Sequence, residues 1–211
     1  MHENAICQLA AADPILGKLI ARVGPCRLEP DGRRSTFQAL VVAVAHQQLH
    51  GKAAQTILDR VRALHPRRAF PSPQDLANTP EEHLRRAGLS RAKVAAVKDI
   101  AAKALSGQVP TARQMRGWDD ADIVEALTAL RGVGRWTAEM LLIFKLGRLD
   151  VLPTTDYGVR KGFAMTYRKR DLPDHAALTA HGERWRPYRS IASWYLWRAL
   201  DTAKSPQQGP N

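Results

Sequence analysis

Cysteine is scarce in this 211-residue chain: there are two, Cys7 and Cys26, both near the start and without metal-ligand spacing. That count excludes a four-cysteine iron–sulfur cluster and makes a disulfide framework unexpected, which fits a reducing compartment. Long apolar runs are missing too. No stretch approaches the length that spans a bilayer, and the opening MHENAICQLA lacks the basic-then-apolar layout of a signal peptide. The expected location is the cytoplasm, with the nucleoid in a bacterium or in the nucleus of a eukaryote. No run alternates like a strand, and no internal repeat stands out. Acidic side chains are the minority, 20 against 32 Lys and Arg, for a formal net charge of +12. The excess points to a polyanionic partner, nucleic acid before membrane surface, although many soluble proteins are simply basic.

What is present reads as helix. Hydrophobic residues make up 45% of the chain, enough for a packed interior. ADPILGKLIARVG places Asp13 as N-cap, Pro14 at the first helical position and Gly24 past the end. STFQALVVAVAHQQL starts with Ser35 or Thr36 as cap; its valines also suit a buried strand, but its length favours helix. Ala54, Ile57, Leu58, Val61 and Leu64 share one helical face. FPSPQDLANTP reads as a connector with one helical turn, after which Thr79 caps PEEHLRRAG. Ser90 caps the next helix, which Gly107 ends, and Asp119 or Asp120 caps DADIVEALTAL. Two further helices are expected near 175–184 and 188–203. The expected fold is all-α, about ten short helices in two lobes with a cleft between them and a helical hairpin at the cleft. Residues 36–130 form one lobe, ending in the first hairpin helix. Residues 131–204 pack with the N-terminal helices 1–35 in the other, and 205–211 form a disordered tail.

Between ADIVEALTAL and RWTAEMLLIFKLG there is room only for RGVG, so Gly132 and Gly134 must supply backbone freedom at the turn. The amides after Gly134 open a new helix, a place where a phosphate approaches closely. A plain helical hairpin fits the same glycines. Downstream, PTTDYGVRKGF sets a loop before Asp156 and a helix after it, which suits an ordinary N-cap as well as a catalytic carboxylate.

LRGVGRWTAEM resembles the helix-hairpin-helix signature of DNA repair glycosylases. Extended through DVLPTTDYGVRKGF, and joined by AVAHQQLHGKAA and ERWRPYRSIASWYLWRAL, it resembles the 3-methyladenine DNA glycosylase II family, the alkylation-repair branch of that superfamily. The expected form is the compact one, without the N-terminal β-domain of some members. The resemblance implies a catalytic role for Asp156 and phosphate-holding amides at Gly132, Gly134 and Thr137. It also implies a Na+ or K+ ion on the backbone carbonyls of Thr128, Leu130 and Val133, and no cofactor for catalysis. Trp136 stands where lyase relatives carry a Schiff-base lysine, so a monofunctional enzyme is expected.

An alkylated purine leaves readily as a neutral base, so one carboxylate suffices where other glycosidases need two. The base must first be flipped out of the duplex. Leu49 is the expected plug, with Gln48 beside it and His50 probing the minor groove; a core leucine is the alternative. Trp136, Met140, Tyr157, Trp194 and Trp197 are the candidate base pocket, where aromatic faces would favour a cationic base. Some of these aromatics would serve equally as core. Arg131, Arg135, Arg148, Arg160, Lys161 and the YRKR cluster line the DNA side or a solvated basic face. The expected activity is excision of 3-methyladenine, 7-methylguanine and related adducts from double-stranded DNA, by a monomer. The alternatives are a glycosylase for oxidised or mismatched bases and a non-catalytic DNA clamp.

Overall fold

The computed structural model describes residues 2–49 and 51–204. In chain order the helices are α1 (Glu3–Ala12), α2 (Pro14–Val23), α3 (Thr36–His46), α4 (Gly51–Ala63), α5 (Pro73–Asn78), α6 (Glu81–Arg86), α7 (Arg91–Leu105), α8 (Asp120–Thr128), α9 (Arg135–Phe144), α10 (Tyr157–Thr166), α11 (His175–Gly182) and α12 (Arg189–Lys204). Single 3-10 turns lie at Gln114–Gly117 and Glu183–Trp185, and the described residues contain no strand. Among these residues no helix is long and apolar enough to cross a membrane. The 205–211 tail and His50 lie outside the described residues.

The chain forms two compact units. Asp31–Leu146 makes the middle unit; the two chain ends, up to Pro30 and from Gly147, make the end unit. The whole hairpin therefore belongs to the middle unit, and the division falls after α9 rather than at residue 130. The reason is packing: α9 lies against both α8 and α3.

Within the middle unit, α3 packs on α7, α9 and α4. Ser35 and Gln38 close a reciprocal capping box at its start, so the valine-rich run begins as helix and stays one. Leu40, Val41 and Val44 are buried along it. The α5 segment is a capped helix in its own right, because Ser72 and Asp75 form a second capping box. Thr79 is not the cap of α6. It closes α5, donating its hydroxyl to the Asp75 carbonyl at 2.7 Å, and Pro80 takes the N-cap position without a side-chain bond.

Within the end unit, α12 packs on α10, α2 and α1. A Cβ at Gly162 would collide with the Leu196 carbonyl, so the glycine lets the α10 and α12 backbones touch. Asp13, 3% exposed, caps α2 as expected, its Oδ1 accepting from the Ile15 and Leu16 amides.

Candidate active site and nucleic-acid interface

The end unit carries the acid. Asp156 is the N-cap of α10, and its Oδ1 accepts from the Val159 amide at 2.7 Å and from the Trp197 indole N–H at 2.8 Å. Trp197 reaches it because Gly158 is bare: a Cβ there would stand 2.8 Å from Trp197 Cδ1 and 3.0 Å from Asp156 Oδ1. Gly158 and Gly162 are one helical turn apart and face the same helix, so close helix crossing and carboxylate placement share one cause. The loop before Asp156 is tied to the opening of α12 by Ser190, which is fully buried. Its hydroxyl donates to the Arg148 carbonyl at 2.7 Å and accepts from the Val151 amide at 2.9 Å, while its own amide donates to the Leu149 carbonyl. Tyr157 is 65% exposed beside the acid. The half-buried Trp194 meets Tyr195 edge-on at 5.0 Å, and its ring lies 5.5 Å from the Arg198 guanidinium.

The middle unit carries the hairpin. Gly132 has φ +77°, and a Cβ there would stand 2.6 Å from the Ala96 Cβ, so both conformation and space require glycine. Gly134 differs from the expectation. Its φ of −91° suits any residue, and a Cβ there would meet nothing within 4 Å. It begins α9 as N-cap, next to open space, and the first intrahelical bond runs from the Ala138 amide to its carbonyl. Residues 128–134 line a shallow concavity together with Lys103. The turn is braced against α7 at two points. The Arg131 amide donates to Asp99 Oδ2 at 2.8 Å, and Lys103 Nζ donates to the Ala129 carbonyl at 2.8 Å. Thr137 is buried, with its hydroxyl accepting from Gln47 Nε2 at 3.3 Å. On α9, Trp136 is 38% exposed and Met140 is half-buried one turn on. Leu49, on the turn between α3 and α4, is 40% exposed, which removes it from the core.

Residues 41–187 match the model of the HhH-GPD superfamily base excision DNA repair protein. The chain belongs to the HhH-GPD superfamily. It is 36% identical over 188 residues to DNA-3-methyladenine glycosylase 1 of Schizosaccharomyces pombe, covering 89% of this chain and 82% of that one. A solved 3-methyladenine DNA glycosylase of S. pombe, in complex with abasic DNA, superposes with a TM-score of 0.87 at 33% identity, covering 97% of this chain and 100% of that chain. DNA-3-methyladenine glycosidase from Bacillus halodurans gives 0.83 at 34% identity, covering 95% and 90%.

In this HhH-GPD chain, the sequence reading located the acid and the hairpin but missed their supports. Gln47, Lys93, Asp99, Lys103, Gly158 and Ser190 each act on backbone or on a residue remote in sequence, and only Gly158 had a visible signal, its fourfold spacing from Gly162. Of the basic residues, Arg131 and Arg135 are exposed, and Arg135 pairs with Glu139 at 3.0 Å. Arg160 donates to the Pro173 carbonyl at 2.8 Å, which gives it a role inside the end unit.

Proposed function

We propose that this HhH-GPD chain is a monofunctional DNA glycosylase. It hydrolyses the N-glycosidic bond of alkylated bases, 3-methyladenine and 7-methylguanine first, after flipping them from double-stranded DNA, and it works as a monomer. The observation that carries this reading is Asp156, a carboxylate oriented by Val159 N and Trp197 Nε1 at the start of α10. Loss of a cationic base leaves positive charge on the deoxyribose, and a fixed carboxylate beside C1′ stabilises that charge more than it stabilises the ground state. Water completes the reaction at C1′; its proton passes to Asp156 or to solvent, and the base departs neutral. Trp136 in place of a lysine leaves no amine at that position for an imine, which supports hydrolysis without strand cleavage.

The amides of Gly132, Gly134 and Thr137 are assigned to a DNA phosphate, supported by the open space at Gly134. Leu49 is assigned to the vacated stack, with Gln48 and His50 at its sides, supported by its exposure. Trp136, Met140, Tyr157 and Trp197 are assigned to the base. Trp194, held by Tyr195 and Arg198, is assigned to packing. The carbonyls of Thr128, Leu130 and Val133 are assigned to a monovalent ion, supported by their chemistry as neutral oxygens on residues that line one concavity. Such an ion would add to the charge of the neighbouring Lys103 ammonium and draw the phosphate in.

The rival reading is a hairpin protein that grips DNA without cutting a base free. Asp156→Asn separates the two. On methylated duplex, the variant is expected to retain DNA binding and to lose base release about a hundredfold or more. Wild-type protein that releases no base from alkylated, oxidised or mismatched duplex establishes the rival.

A further inference from the structure

The turn that presents Leu49 is anchored on both sides. Helix α3 ends at His46, and the chain leaves it through Gln47 (φ −53°, ψ 129°). The carbonyls at a helix C-terminus lack partners within the helix and form the negative end of its dipole. Here Lys93 supplies the partner: its ammonium donates to the Ala45 carbonyl at 2.9 Å and to the Gln47 carbonyl at 2.8 Å. Burial pulls the Lys93 pKa below the usual lysine range, as expected for an ammonium withdrawn from water onto neutral acceptors. The Gln47 side chain turns the opposite way. Its Nε2 donates to the Gly132 carbonyl at 2.9 Å and to Thr137 Oγ1 at 3.3 Å, one partner in the hairpin turn and one in the first turn of α9. Gln48 then takes φ +57°, a left-handed conformation uncommon for a residue with a Cβ, and the Leu49 amide closes the turn on the His46 carbonyl at 3.2 Å.

The same helix supports the hairpin. Along α7, Lys93, Ala96, Asp99 and Lys103 recur at spacings of three, three and four, which sets them on one face. Lys93 holds the Gln47 turn, Ala96 lies under Gly132, Asp99 holds the Arg131 amide and Lys103 holds the Ala129 carbonyl. Four successive positions on one rigid helix therefore set the register of two separate loops.

We propose that Lys93 and Gln47 are positioning residues that latch the Leu49 turn to the hairpin, so that gripping the phosphate and driving the leucine into the duplex are one mechanical event. The inference rests on the assignments of Leu49 to the stack and of the hairpin to the phosphate. Neither Lys93 nor Gln47 need touch the base. What they fix is the distance from the gripped phosphate to the inserted side chain, and extrusion of a paired base depends on that distance.

The test uses the full chain and two duplexes carrying the same alkylated base, one with it paired and one with it unopposed in a single-nucleotide bulge. Single-turnover excision is followed for Lys93→Met, Gln47→Met, their combination, Lys93→Arg and Leu49→Ala. Lys93→Met and Gln47→Met are expected to slow excision of the paired base tenfold or more, and of the bulged base by less than threefold. DNA affinity stays within threefold. The combination is no slower than the worse single variant, because one latch is opened either way, and Lys93→Arg recovers most of the rate. Equal losses on both duplexes would reduce the pair to a folding role and overturn the proposal. So would unchanged excision in both variants while Leu49→Ala shows the paired-only loss; the Leu49 assignment then stands without the latch. A Leu49→Ala protein with no paired-only loss removes the Leu49 assignment itself, and the latch falls with it.

Discussion

At the scale of single residues, Trp197 has a role that no sequence pattern discloses. Its N–H edge holds the carboxylate, so its contribution is separable from that of its ring. Trp197→Phe keeps an aromatic face and removes the donor. A hydrogen bond to a charged group contributes about 1.5–3 kcal/mol, and about 1.4 kcal/mol is a factor of ten. The expected result is roughly tenfold slower single-turnover excision, with affinity for abasic DNA unchanged. The two hairpin glycines make a second contrast. Gly132→Ala meets both a positive φ and the Ala96 methyl, and is expected to cost about 2 kcal/mol or more in denaturant unfolding. Gly134→Ala meets neither. Its stability should stay within about 0.5 kcal/mol of wild type, while DNA affinity falls roughly tenfold as the methyl fills the phosphate approach.

At the scale of elements, a buried polar cluster joins α2, α10, α11 and the 3-10 turn of the end unit. Asp13 Oδ2 lies 2.6 Å from the Tyr167 hydroxyl, 3.1 Å from His181 Nε2 and 3.0 Å from the Trp185 indole nitrogen. Burial alone would raise the Asp13 pKa, but the bonds from Tyr167, the Leu16 amide, Trp185 and His181 outweigh it and hold it below the usual value. His181 is driven below the usual histidine value, first by burial and then by the Arg184 and Lys169 charges, against the pull of Asp13. A depressed histidine binds fewer protons folded than unfolded, so stability rises with pH through that window and is lost on acidification below about 6.5. His46 in the middle unit is depressed as well, by burial and by Arg34 and Lys93. His181→Gln is expected to lessen the fall in Tm between about pH 7.5 and 5, read by thermal unfolding across that range. Helix positions and most caps were legible because they are local: Asp13, Ser35 and Ser90 each bond within three residues. Thr79 was misread because a proline follows it, and the side chain of Thr79 turned back to the helix behind it. The Asp13 cluster was illegible beyond its cap, since Tyr167, His181 and Trp185 come to it from more than 150 residues away.

At the scale of the whole molecule, the formal charge of +12 is the property that composition alone supplied. Binding to a duplex is expected to weaken linearly in log affinity against log salt, with a slope of about 0.9 per neutralised phosphate. Arg131 is exposed on the hairpin, and the bond from its amide to Asp99 does not depend on the side chain. Arg131→Ala is therefore expected to reduce the slope by about one with the fold intact, as measured by fluorescence anisotropy from low to moderate salt. The Asp156 N-cap and the Gly132 turn were readable from sequence because a helix start and a positive φ demand particular residue types. The supports were not, because a lysine on a carbonyl or a serine under a loop is specified by tertiary proximity and by no spacing.

Ser190 has a consequence of its own. It fastens the strand of chain leading to Asp156 onto the first turn of α12, and two turns further along the same helix stands Trp197. Carrier and cargo thus share one mount: the approach to the carboxylate and the indole that steadies it are both fastened to α12.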